Sequence, residues 1–150
     1  MDRITQQLAN YPVIGLDTSI FIYHFEAHPL YQCITALILE GVENGKWAAV
    51  TSMITLMVLT VRPWQLERED ITRKYEALLS HFPHLDMVEI DRSMTRLAAQ
   101  LRARYSLRSP DAIQAAACLT HGGKAWVTND RKFTVLKPLI DVILLEDYLQ

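Results

Sequence analysis

Two cysteines are all this 150-residue chain has, Cys33 and Cys118, and their wide separation excludes a zinc motif. Both have apolar or small neighbours and read as buried, reduced thiols. Only five glycines occur, and none forms part of a phosphate-cradling loop. No Ser-His-Asp arrangement is visible. No apolar run approaches the ~20 residues of a membrane-spanning helix. The leading "MDRITQQLANYP" lacks the apolar centre of a secretory signal, so a soluble, cytoplasmic protein is the expectation. Neither sign of charge dominates. With 15 basic and 17 acidic residues the net charge is −2, which leaves only a local basic patch for any contact with nucleic acid.

What is present is a globular pattern. Hydrophobic residues make up 50% and charged residues 21%, enough for one domain over residues 1–150 with a substantial core. Short, almost wholly apolar strands are predicted at 12–17, 47–52, 85–90, 124–129 and 139–145. Between them, helical spacing predicts helices over 19–26, 30–43, 52–63 (ended by Pro63), 67–82 and 92–107. A further helix starts with Ser109 as N-cap and Pro110 in the first position, and Gly122-Gly123 closes it. Strands alternating with helices predict a parallel sheet with helices on both faces, an α/β class fold. Such sheets bind ligands at the carboxyl ends of the strands, near the point where strand order reverses. Asp17, Ser52 and Asn129-Asp130 directly follow strands and belong at that rim.

Three acids stand out. Asp17 interrupts the apolar "VIGLDTSIFIYHF", Asp111 lies in the first turn of the Ser109 helix, and Asp130 follows "WVTN". Each has an ordinary alternative. Asp17 can cap a helix, Asp111 can complement a helix dipole for about 0.3–1 kcal/mol, and Asn129-Asp130 can serve a turn. Converging on one rim, however, they would repel. Two like charges about 4 Å apart cost on the order of 4 kcal/mol at an effective dielectric of 20. A divalent cation relieves that cost, and an all-oxygen set suits Mg²⁺ or Mn²⁺.

Four stretches, "VIGLDTSIFIY", "VTSMITLMVLTVRP", "SPDAIQAAACLTHGG" and "AWVTNDRKF", resemble in order and spacing the PIN domain in the form found in VapC-type toxins. The resemblance implies a three-layer α/β/α sandwich with a central parallel sheet, and a Mg²⁺- or Mn²⁺-dependent ribonuclease site. It further implies a cognate antitoxin and a homodimer. Asp17, Asp111 and Asp130 match three acidic positions of the family, and Ser19 and Thr128 match hydroxyl-bearing positions beside them. Arg108, Arg131 and Lys132 flank two of the acids, either as contacts for RNA phosphates or as ordinary solvated charge.

One position departs from the pattern. The family runs Ser, two residues, Thr-Leu, one residue, then Glu; here Ser52, Thr55 and Leu56 match and Val58 takes the place of the glutamate. Three readings stand open. Glu40, Glu43, Glu67 or another carboxylate substitutes; or metal affinity is reduced; or this copy binds RNA or a partner without cutting. His24 and His28 have a helical spacing of four but no glutamate between them in the HExxH manner, which argues against a metal pair. His81 and His84 read as surface residues. Trp126 reads as core and Trp64 as exposed.

Overall fold

The computed structural model describes residues 2–149. In chain order the first elements are α1 (Arg3–Leu8), β1 (Val13–Leu16), α2 (Thr18–Phe25), α3 (Gln32–Glu43), β2 (Ala48–Ser52), α4 (Met53–Gln65) and α5 (Glu69–Ser80). They are followed by β3 (Leu85–Val88), α6 (Arg92–Tyr105), α7 (Ser109–Thr120), β4 (Ala125–Thr128) and β5 (Asp141–Leu144). Short 3-10 turns cover Arg131–Leu136 and Leu145–Tyr148. All five strands pair in parallel in the order β3-β2-β1-β4-β5. Strand order therefore reverses at the β1–β4 pair, where Gly15 lies opposite Trp126 and Leu16 opposite Val127.

Alternation along the strands divides the core into two layers. Ile14, Leu16, Ala49, Ala125 and Val127 point to one face and pack under residues from α1 through α5, such as Leu8, Phe21, Ile38 and Leu79. Val50, Val88 and Trp126 point to the other and pack under α6, α7 and the 131–136 turn through Met94, Leu101, Ala116 and Phe133. This is the α/β/α sandwich that the alternating pattern implies.

Gly15 belongs to the second face and has no side chain to offer it. A Cβ there would stand 2.4 Å from Cys118 Sγ and 2.6 Å from a ring carbon of Trp126. Helix α7 thus approaches β1 as closely as the backbone allows, and α7 carries Asp111.

Several local expectations need correction. Helix α1 is not predicted by the periodicity, yet Ile4 and Leu8 anchor it in the core. Pro63 does not end its helix. It lies buried in the last turn of α4, which runs on to Gln65 without the bond that an N–H at 63 would make to Leu59. Arg108, not Ser109, is the N-cap of α7; Ser109 is its first residue and accepts a hydrogen bond from Arg102. Cys118 is buried but Cys33 is exposed. On α3 the inward face is Ile34, Ile38 and Val42, and Cys33 falls on the outer flank. Among the described residues no helix is long and apolar enough to cross a membrane.

Gly15→Ala should lower stability by about 1–3 kcal/mol through overpacking against Cys118 and Trp126. Urea unfolding reads this directly, and an unchanged midpoint would mean that α7 can shift away from β1 without penalty.

Candidate functional site

The carboxyl ends of β1 and β4 open into a cleft of about 560 Å³. Asp17 follows β1 as the N-cap of α2. Its Oδ1 accepts from the Thr18 backbone N–H at 2.8 Å, and its Oδ2 accepts from the Thr128 hydroxyl at 2.6 Å. The same Thr128 oxygen accepts from the Asp130 N–H at 3.0 Å. Asp130 caps the 131–136 turn through Lys132 N–H at 2.9 Å. Asp111 reaches the cleft from the first turn of α7, where its Oδ2 accepts from Arg108 Nε at 3.2 Å.

All three aspartates border this cleft, together with Ser19, Arg108 and Arg131. Thr128 lies buried just beneath it and acts through Asp17. Lys132 does not border it. Its ammonium lies 3.9 Å from Asp130 Oδ2, on the side of an adjacent depression shared with Arg108 and Asp111. Arg131 forms an ion pair with Glu146 at 2.5 Å. Ser52 is not on the rim. It is buried, caps α4 through Ile54 N–H, and donates a short hydrogen bond to Gln114.

Burial pushes the Asp17 carboxyl up to about 6. The bonds from Thr128 and Thr18 pull the other way, and the charges of Asp111 and Asp130 push it further up. The acids therefore sense one another. They do not form a closed cage, because among the described residues no group of three or more His, Cys, Asp or Glu is arranged to hold a metal ion. Arg108 and Lys132 instead supply positive charge beside Asp111 and Asp130. The donors still suit a hard cation bound partly through water. They are carboxylates and hydroxyls, and the buried Ser19 Oγ has no hydrogen-bond partner among the described residues.

Val58 borders the same cleft from α4, with 39% of its surface exposed. None of Glu40, Glu43 and Glu67 borders it, so none stands in for the absent acid. His28 accepts from the Leu30 N–H through Nδ1. His81 and His84 are exposed, Trp126 is core and Trp64 is exposed, as their sequence contexts indicate.

Sequence reasoning misses a polar layer under the cleft. Gln114 Nε2 donates to the hydroxyls of Thr18 and Thr55 at 2.8 and 3.0 Å, and Thr55 Oγ1 pairs with Thr51 Oγ1 at 2.8 Å. This network ties α2, α4 and α7 together below the acids. The available signal was the spacing of Gln114, three residues after Asp111 and so on the same helix face. Asn129 is also more than a turn residue. Its side chain donates to Tyr23 Oη at 3.3 Å and accepts from Glu146 N–H at 3.2 Å.

Sheet order and cleft together define an α/β/α domain whose acids collect where strand order reverses. A model of the PIN domain matches residues 14–137, and the chain belongs to that family. Among solved structures it is similar to a toxin–antitoxin complex from Klebsiella pneumoniae, at 22% identity and a TM-score of 0.64, covering 88% of this chain and 97% of that one. DNA-bound VapBC from Salmonella typhimurium is similar at 22% identity and 0.66, covering 88% and 97%. FitAcB from Neisseria gonorrhoeae is similar at 17% and 0.65, covering 89% and 98%. At these identities the likeness is one of fold. No curated protein matches the chain.

The raised Asp17 has a pH signature. The unfolded carboxyl ionises near its ordinary 3.8 and the folded one near about 6, so between them the folded chain holds the extra proton. Stability should then fall as pH rises through that window. Asp17→Asn keeps a good helix cap without the charge. Without divalent metal it should stabilise the protein by about 1–2 kcal/mol at pH 7.5 and by nothing at pH 4. Urea titrations at both values check this, and an equal loss at both would count against a penalised charge.

Proposed function

We propose that this PIN domain is a metal-dependent ribonuclease that hydrolyses RNA phosphodiester bonds, and that it is the toxin half of a toxin–antitoxin pair. The observation that carries this reading is the meeting of Asp17, Asp111 and Asp130, from three distant segments, on one cleft. A single domain over residues 1–150, a homodimer and a cytoplasmic setting belong to the same reading.

Asp17, Asp111 and Asp130 would hold Mg²⁺ or Mn²⁺, directly or through water. The bound ion supplies polarisation of the scissile phosphate and a water ionised near neutral pH. Ser19 and Thr128 orient that water shell, the first through its free hydroxyl and the second by fixing Asp17. Arg108 would meet phosphate oxygens at the cleft, Arg131 would do so on leaving Glu146, and Lys132 would extend the basic edge beyond it. Asp111 meets Arg108 through Oδ2 alone, so it would hold the ion with the guanidinium still beside it at the rim, where a phosphate would also meet it.

The toxin assignment draws on the complexes named above. It also draws on α4, where Met57, Val61 and Trp64 form an exposed apolar stripe next to Val58. An antitoxin segment with apolar side chains on that stripe and a basic one in the cleft would block the site. A specific observation also favours a second reading, binding without cleavage. Val58 faces the cleft where an acid is expected, and no carboxylate named as a substitute borders it.

Val58→Glu separates the two. It should tighten Mn²⁺ binding about tenfold, by calorimetry, and raise cleavage of RNA by the purified protein. If neither changes, Val58 is not the deficient position. RNA binding without Mn²⁺-dependent cleavage in either protein supports the second reading.

A further inference from the structure

Basic residues are spread unevenly over the molecule. Between Arg92 and Lys137 the chain has nine Lys or Arg residues and only two acids, Asp111 and Asp130 of the cleft, whereas the remainder has six and fifteen. That segment supplies α6, α7 and the 131–136 turn, which cover one face of the sheet. The net charge of −2 therefore conceals a basic layer and an acidic remainder.

Helix α6 orders part of this charge. Met94, Ala98 and Leu101 turn inward. Arg92, Arg96, Gln100 and Arg104 fall at steps of four, which on a helix makes one continuous row, and all four are exposed. From first to last the row spans about 18 Å. Stability does not account for it. Arginines four residues apart repel, and Arg92 is the first residue of α6, where the helix dipole disfavours a cation. Among the described residues Arg92, Arg96 and Arg104 form no ion pair. Arg102 lies off the row and belongs to the fold. It braces the turn after α6 through Leu107 O at 2.9 Å and Ser109 Oγ at 3.0 Å.

The row leads to the cleft. The Arg104 guanidinium lies over the Tyr105 ring, 5.7 Å from its centroid, and Tyr105 lines the depression shared by Arg108, Asp111 and Lys132. Arg108 and Asp111 border both that depression and the cleft, so the two adjoin. We propose that the α6 row is a track for the phosphate backbone of the same RNA whose scissile bond lies at the aspartates. The proposal rests on the nuclease reading above and names its substrate class, an RNA that extends beyond the cleft by the length of α6. Guanidinium groups match phosphate oxygens, and contacts to the backbone read neither sequence nor base pairing. The row therefore selects for length. Continuity with Arg108 at the cleft favours the polynucleotide over an acidic protein surface.

The test uses the purified full chain with Mn²⁺, a short RNA that spans only the cleft, and the same sequence extended on both sides by about twenty nucleotides, bound over a range of salt concentrations. The wild type should bind the extended RNA about tenfold or more tighter than the short one. The double substitution Arg92→Gln and Arg96→Gln should remove most of that advantage and lower the salt slope for extended RNA by about one to two. It should raise KM for extended RNA without a matching fall in kcat, and leave affinity for the short RNA unchanged. Arg92→Lys with Arg96→Lys keeps the charge and should retain most of the advantage. Lys46→Gln with Lys74→Gln removes two exposed cations outside the basic layer and should change nothing. Equal affinity and salt slope in wild type and the glutamine pair overturns the track while the nuclease reading stands. So does an equal loss from the Lys46 and Lys74 pair, which would make the effect one of overall charge. A wild type that neither binds nor cuts either RNA overturns both. A glutamine pair that keeps RNA affinity but changes the oligomeric state in sedimentation assigns the row to the acidic surface of a second copy, and also overturns the track.

Discussion

Two parallel strands that are distant in sequence, β1 and β4, run side by side at the middle of the sheet, and the chemistry of the cleft depends on that pairing. The register of Leu16 against Val127 brings the ends of both strands level. Asp17 continues the ladder by donating its backbone N–H to Val127 at 3.0 Å. The chain then turns into α2 on one side and into the Asp130 loop on the other. The hydroxyl of Thr128 closes the gap, as donor to the Asp17 carboxylate and acceptor from the Asp130 N–H. A one-residue slip in this register would reverse the faces of Trp126 and Val127. It would bury the wrong side chains and separate the acids together.

Around that junction the protein balances charge locally. Asp17 is the deepest acid and the one whose ionisation is opposed, mainly by burial. Asp111 and Asp130 each have a basic neighbour, and Arg131 is turned toward Glu146. Beneath them, Gln114 and the threonines form a layer in which hydroxyl and amide groups satisfy one another. Such a layer is tolerable inside a protein because its members are paired, and it fixes the angle between α2, α4 and α7. The acids rest on a polar floor rather than a greasy one, which eases the hydration of any ion above it.

Much of this was legible in the sequence. Buried parallel strands are short, apolar and terminated abruptly, so all five strands and the sandwich could be read from the pattern. The three aspartates stood out because each breaks an apolar context or opens a helix. What could not be read was contact between distant segments. Spacing puts Gln114 on the helix face of Asp111, but its bonding role appears only when Thr18 and Thr55 arrive from other helices. The tie between Tyr23 and the Asp130 loop likewise forms only where Asn129 reaches its hydroxyl. Helix α1 was too short to show a period. The burial of Cys33 was misjudged because apolar neighbours in sequence lie on different faces of a helix.

The close fit of α7 against β1 has a chemical consequence as well. Cys118 fills the space left by Gly15, and burial pushes its thiol up to about 12, so it holds no thiolate at neutral pH. Cys33 stands open to solvent two residues beyond Tyr31. The chain therefore carries one silent thiol and one addressable one. A maleimide dye or spin label would attach at a single defined point without any residue being replaced, in the first turn of α3.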